Sequence, residues 1–163
     1  MNYTNKIIED RGGLEKLISA ATRPLVFTNG CFDILHVGHV DYLNRSAQLG
    51  SFLLVAVNSD ESIRKLKKGD HRPYNPLDER MKVLAGLACV DCVTPFDEDS
   101  PIELIQLVNP DHLVKGGDWE ERSIVGKEHV AKQGGQLHSL PFNYPNSTTK
   151  LISKIQKTKN FTN

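Results

Sequence analysis

The longest purely apolar run in the chain is Phe52–Val57, far short of the roughly 20 residues that a membrane-spanning helix needs. The opening stretch Met1–Lys6 has no apolar core of signal-peptide length, so a cytosolic protein without a membrane or export role is expected. Cysteine is scarce. Cys31, Cys89 and Cys92 make an odd number, and free thiols are expected. Cys89 and Cys92 have C-x-x-C spacing, but they flank the start of a short strand, whereas a redox motif opens a helix. Net charge is absent too, with 20 basic residues against 20 acidic ones. Such a chain lacks the electrostatic field of a nucleic-acid binder, and an anionic ligand has to be met by local donors. That balance favours a small phosphorylated substrate. Internal repeats and low-complexity segments are lacking as well, so residues 1–163 are expected to form a single domain.

What the chain does have is an alternation of strand and helix signals. Residues 5–20 read as a helix with Ile7, Ile8, Leu14, Leu17 and Ile18 as its apolar stripe, in a leading segment 1–22 that packs on the domain or on a partner subunit. Leu25–Thr28 reads as a strand and His39–Leu49 as a helix with Val40, Leu43 and Ala47 inward. Phe52–Val57 reads as a strand covered on both faces. A helix starts at Asn75-Pro76-Leu77, with Asn75 at the cap and Met81, Val83, Leu84 and Leu87 buried. Cys92–Pro95 is a short strand, and Ser100 and Glu103 have the capping-box spacing for a helix to about Val108. His112–Lys115 and Gln136–Leu140 are strands around a helix Gly126–Gln133. A last helix begins at Ser147-Thr148-Thr149, and the lysine-rich tail 156–163 is expected to fray. The alternation implies an α/β fold, a Rossmann-like parallel sheet with helices on both faces.

The chemistry concentrates after the first strand, at Asn29-Gly30-Cys31-Phe32-Asp33-Ile34-Leu35-His36-Val37-Gly38-His39. A strand, a tight turn and a helix start aim backbone N–H groups at phosphate. His36 and His39 share one helical face, and Gly38 between them removes a side chain that would keep a ligand off the backbone. A zinc site would need a further protein ligand, and no Cys or His follows at the usual spacing. Asn58 and Asp60 stand at the end of the second strand, where a ligand role and a helix cap are both open. Arg64-Lys65-Leu66-Lys67-Lys68 reads as a solvated face or as the lip of a phosphate-covering loop. Lys115-Gly116-Gly117-Asp118-Trp119 is another glycine turn at a strand end, where Asp118 could accept from a ribose or base, and Trp119 either shields it or sits in the core. Ser147 and Thr148 either cap their helix or add a second anion site.

Gly-x-Phe-Asp-x-x-His-x-Gly-His, present as Gly30–His39, resembles the signature of the cytidylyltransferase-like nucleotidyltransferase superfamily. Arg72–Arg80, Leu113–Asp118 and Ser147–Thr149 extend the likeness to the adenylyltransferase half of the bifunctional heptose kinase and adenylyltransferases, which is expected to stand alone here, without the kinase half. The resemblance implies that ATP and D-glycero-D-manno-heptose 1-phosphate give pyrophosphate and ADP-heptose, a precursor of surface-polysaccharide heptose such as that of lipopolysaccharide. It also implies a homo-oligomer. The roles it implies put His36 and His39 on the ATP phosphates as transition-state donors, with Thr28, Asn29, Gly30, Phe32 and Gly38 around the nucleotide. Lys65 and Lys67 hold the pyrophosphate or the sugar phosphate with Arg80 behind them. Asn58, Asp60, Lys115, Gly116 and Asp118 line the nucleotide, and Ser147 and Thr148 close over its outer phosphates. Mg²⁺ is expected to arrive with ATP, since no acidic cluster announces a protein metal site. One departure stands out. Asn143-Tyr144-Pro145-Asn146 precedes Ser147, where relatives usually carry a glycine and glycerol-3-phosphate cytidylyltransferases also an Arg-Thr pair. The Val-Lys-Gly-Gly-Asp turn and the missing arginine rank ATP above CTP, with the glycerol-3-phosphate enzyme and a non-catalytic nucleotide-binding module as alternatives.

Overall fold

The computed structural model describes residues 2–66, 72–117 and 123–158. Strands β1 (Leu25–Gly30), β2 (Phe52–Asn58), β3 (Cys92–Phe96), β4 (His112–Gly116) and β5 (Gln136–Leu140) form one sheet in the order β3-β2-β1-β4-β5, and every pairing is parallel. Parallel neighbours need crossover connections, and these are α2 (Val37–Ala47), α3 (Asp60–Lys65) with α4 (Leu77–Ala85), α5 (Ile102–Val108) and α6 (Lys127–Lys132). Before β1 lies α1 (Arg11–Ala20), and after β5 comes α7 (Thr148–Thr158).

The two faces of the sheet can be read directly from the central strands. Leu25, Phe27, Leu54 and Ala56 pack with Leu14, Leu104, Ile105 and Val130 on one side. Val26, Leu53, Val55 and Val57 pack with Leu43, Met81 and Leu84 on the other. Alternate residues of β1 and β2 thus serve opposite cores, and Leu53–Val57 is buried throughout, as a strand covered on both faces must be.

Several local expectations are corrected. The leading helix starts at Arg11, because the Asp10 carboxylate accepts from Gly13 N at 2.7 Å and caps it there. Ile7 instead bridges Val93 in extended backbone. On α2, Tyr42, Leu43 and Ser46 face inward, while Val40 is exposed. Burying Tyr42 sets that phase, since its hydroxyl meets Thr28 Oγ1 at 2.6 Å. On α4, Arg80 takes an inner position beside Met81, Leu84 and Ala85, which leaves Val83 outside. Asn75 does not cap α4. Its amide is turned to the Asp33 carbonyl at 2.7 Å. Ser100 caps nothing either, because α5 begins after Pro101 without a side-chain cap bond. At the other end of the chain α7 is helical through Thr158, so residues 156–158 of the segment expected to fray are helical, and 159–163 lie outside the described residues. Among the described residues no helix is long and apolar enough to cross a membrane.

Candidate active site

The sheet order reverses direction between β1 and β4, and the carboxyl ends of such neighbours diverge to leave a crevice. A cavity of about 520 Å³ occupies this place, lined from β1 and its loop by Asn29, Gly30, Cys31, Phe32, Asp33, His36 and His39. Tyr42, Asn58, Lys115, Gly116, Phe142, Asn146 and Thr148 join from the other elements, and Leu66, Arg72, Phe96, Asp99 and Pro101 complete the lining.

The histidine turn is held in an uncommon backbone. Phe32 has φ 46°, a left-handed value that a bulky side chain reaches only under constraint from its surroundings. Its ring is buried edge-on against His39 at 5.5 Å. His36 occupies the N-cap position of α2, and its ring stacks on His39 with centroids 3.9 Å apart and planes 21° apart. A Cβ on Gly38 would lie 3.1 Å from His36 Nδ1, so this glycine makes room for the imidazole. Nδ1 of each histidine is buried without a hydrogen-bond partner. Burial lowers the pKa of His36, and burial followed by the nearby His36 lowers His39 to about 4. Both rings are therefore neutral at pH 7.

Buried ion pairs hold this turn against distant segments. Asp33, 3% exposed, accepts from Tyr74 N at 2.8 Å, Asn75 N at 3.0 Å and Arg72 Nη1 at 3.1 Å. Arg72 also donates to Thr149 Oγ1 at 3.3 Å and so reaches the N-terminus of α7. Arg80, 1% exposed, donates to the Cys31 and Asn75 carbonyls at 2.7 and 3.0 Å and to Asp60 Oδ1 at 2.7 Å. At the end of β4, Lys115 Nζ meets Asn29 Oδ1 at 2.5 Å.

Of the residues expected from sequence, the cavity gathers Asn29, Gly30, Phe32, His36, His39, Asn58, Lys115, Gly116 and Thr148. Others stand elsewhere. Thr28 is fully buried beneath the cavity on Tyr42, and Asp60 and Arg80 pair with each other. Lys65 lies at the rim on Glu61 and Asp99, at 3.5 and 3.6 Å, and these carboxylates, Asp99 first, raise its pKa. Ser147 caps α7 by accepting from Lys150 N at 3.2 Å. Lys67, Asp118 and Trp119 lie outside the described residues. Sequence reasoning gave no site role to Asp33, Arg72, Tyr42 or Phe142. Two of them carried a usable signal, Asp33 as an acid inside the Gly30–His39 motif and Arg72 as the first residue of the Arg72–Arg80 likeness.

Cys89 and Cys92 form no disulfide with each other, and burial pushes Cys92 up to about 12, far from a reactive thiolate. Among the described residues no three or more His, Cys, Asp or Glu side chains group as metal ligands.

A doubly wound sheet with paired histidines at the first crossover and a crevice at its switch point suits the handling of a nucleotide's phosphates. Residues 27–154 match the cytidylyltransferase-like family, and the chain belongs to it. It is 53% identical over 135 residues to the D-beta-D-heptose 1-phosphate adenylyltransferase of Bordetella bronchiseptica, covering 83% of this chain and 83% of that protein. The bifunctional protein HldE of Vibrio vulnificus is 53% identical over 141 residues, 86% of this chain and 29% of that longer protein. Among solved structures, a lipopolysaccharide core biosynthesis protein from Thermoplasma volcanium superposes with a TM-score of 0.62 at 27% identity, over 75% of this chain and 98% of that one.

Proposed function

We propose that the protein transfers the adenylyl group of ATP to D-glycero-D-manno-heptose 1-phosphate, releasing pyrophosphate and forming ADP-heptose. The observation that carries this reading is the 53% identity, over 83% of both chains, to a D-beta-D-heptose 1-phosphate adenylyltransferase.

In this reaction a phosphate oxygen of the sugar attacks the α-phosphorus of ATP in line. A new P–O bond forms, the bond to the β-phosphate breaks, and pyrophosphate leaves with the bonding electrons. Such a transfer needs positioning and charge stabilisation more than covalent help. The neutral imidazoles of His36 and His39 each have an N–H to donate, and an arriving polyanion favours their charged forms, so both stabilise oxygens that gain charge as the bonds exchange. Lys115 and Arg72 supply fixed positive charge to the cavity wall, and Thr148 adds a hydroxyl at the start of α7. Lys65 reaches an outer phosphate by leaving Asp99. Mg²⁺ belongs to the substrate as MgATP, because the Asp33 carboxylate is taken by Arg72 and two backbone N–H groups and Asp99 is shared with Lys65. The same reading has the enzyme work in the cytoplasm as a homo-oligomer.

The test is pyrophosphate release by the purified protein with MgATP or MgCTP, each crossed with heptose 1-phosphate and glycerol 3-phosphate. Release with ATP and the heptose alone is expected. Release only with CTP and glycerol 3-phosphate would overturn the reading, and so would silence in every combination despite ATP binding.

A further inference from the structure

The loop between β5 and α7 carries the one large apolar ring that the cavity leaves uncovered among its described lining. Phe32, Tyr42 and Phe96 line the same space at 6%, 3% and 5% exposure, whereas Phe142 is 46% exposed. An apolar ring in water gains nothing by being held still, yet this one is held on both sides. Arg45 Nη2 donates to the Pro141 carbonyl at 2.6 Å, and Asn143 Nδ2 donates to Asp41 Oδ2 at 3.1 Å. Asp41 and Arg45 are themselves paired along α2 at 3.0 Å, so one ion pair grips the residues before and after the ring. Beneath it, Tyr42 meets the ring edge-on with centroids 5.8 Å apart. Gly116, at the end of β4, is bare where a side chain would intrude, since a Cβ there would lie 2.8 Å from Phe142 Cζ and 3.1 Å from Tyr42 Cε2.

A rigid, open aromatic face at the wall of a nucleotide-sized cavity suits a flat π-system better than a polyhydroxylated sugar, whose hydroxyls would lose water against it. The neighbours agree with a nucleoside end: Lys115 and Asn29 stand beside Gly116, and the histidines line the same cavity. We propose that Phe142 is the stacking platform for the nucleobase and a determinant of the preference for a purine nucleotide, with Gly116 and the Asp41–Arg45 pair as its positioning residues. The inference rests on the reading of the site as an ATP site. It also gives the unusual segment before Ser147 a task, which is to hold the ring over β4.

The test is titration of ATP, CTP and tripolyphosphate against the wild-type protein and Phe142→Ala, with 2-aminopurine riboside triphosphate as a fluorescent purine. The variant is expected to bind ATP about tenfold more weakly, with a smaller loss for CTP, whose base offers less area to stack. Tripolyphosphate, which has no base, should bind equally to both. Quenching of the 2-aminopurine on binding should be lost in Phe142→Ala and kept in Phe142→Trp. Gly116→Ala, which displaces the ring, should reproduce the selective loss. Equal losses for ATP and tripolyphosphate would overturn the proposal. So would unchanged ATP binding accompanied by a change in native mass, which would make Phe142 a subunit contact. A wild-type protein that binds ATP through Phe142 yet releases no pyrophosphate with heptose 1-phosphate would sink the acceptor assignment and leave the stacking platform standing.

Discussion

Two pairs of histidines sit along this sheet, and their nitrogens have opposite fates. His112 and His138, neighbours on β4 and β5, satisfy each other, with Nδ1 and Nε2 3.0 Å apart and the rings tilted at 5.0 Å. His36 and His39 lie closer, stacked at 3.9 Å, yet Nδ1 of each is buried with no partner. A lowered pKa does not mark the site, since burial lowers that of His138 as it lowers those of His36 and His39. The unmet hydrogen bond does. A buried polar atom left alone costs about 1–3 kcal/mol, which a fold retains where a ligand later supplies the partner. Position agrees, because His112 opens β4 at its amino end, while His36 and His39 line the crevice at the carboxyl ends. Of these two pairs, only the one at the crevice leaves buried nitrogens over.

Removing the frame under the His36–His39 pair should break the contrast most completely. Arg80→Ala leaves Asp60 and the Cys31 and Asn75 carbonyls without their buried donor. Denaturant unfolding should show a loss of about 3–5 kcal/mol, as for one partner of a buried pair, with turnover falling alongside. His39→Ala attacks the pair itself. Turnover should drop on the order of a hundredfold with a smaller change in the KM for ATP, and a variant that keeps wild-type turnover would remove His39 from the chemistry.

Acid should sharpen the difference next. Unfolded histidine protonates near 6.5, while folded His39 stays neutral to about pH 4, so between these values the unfolded chain holds more protons. Stability then falls as pH drops from 6.5 towards 4, and the lowered pKa values of His36 and His138 add in the same direction. Unfolding curves at pH 7 and pH 5 should differ less in His39→Ala than in the wild type. The smallest effect belongs to the satisfied pair. His138→Gln should cost about 1 kcal/mol and leave turnover within about twofold, as for loss of one ordinary hydrogen bond away from the site.

The histidine turn was legible because strand, turn and helix start are neighbours in the chain, and the motif packs its chemistry into Gly30–His39. The cations were not. Lys65 reads as a phosphate ligand with Arg80 behind it; in the fold Lys65 stands at the rim against Asp99, and Arg80 is sealed under the loop, where it pairs with Asp60. Arg72 drew no attention as a site residue, and it lines the cavity. Helix faces went astray for the same reason, since Val83 was expected inside α4 where Arg80 in fact lies.

The sequence by itself determined the parallel α/β layout, the burial of β2 on both faces and the place of the histidines at the first crossover, because hydropathy period and turn residues act over a few positions. Tertiary structure alone decided which charges face the cavity. A cation's task depends on the carboxylate opposite it, and Asp33 with Arg72, Asp60 with Arg80 and Asp99 with Lys65 each join segments 20 or more residues apart. It also decided that Phe142, far along the chain from β1, stands open at the wall of the same site.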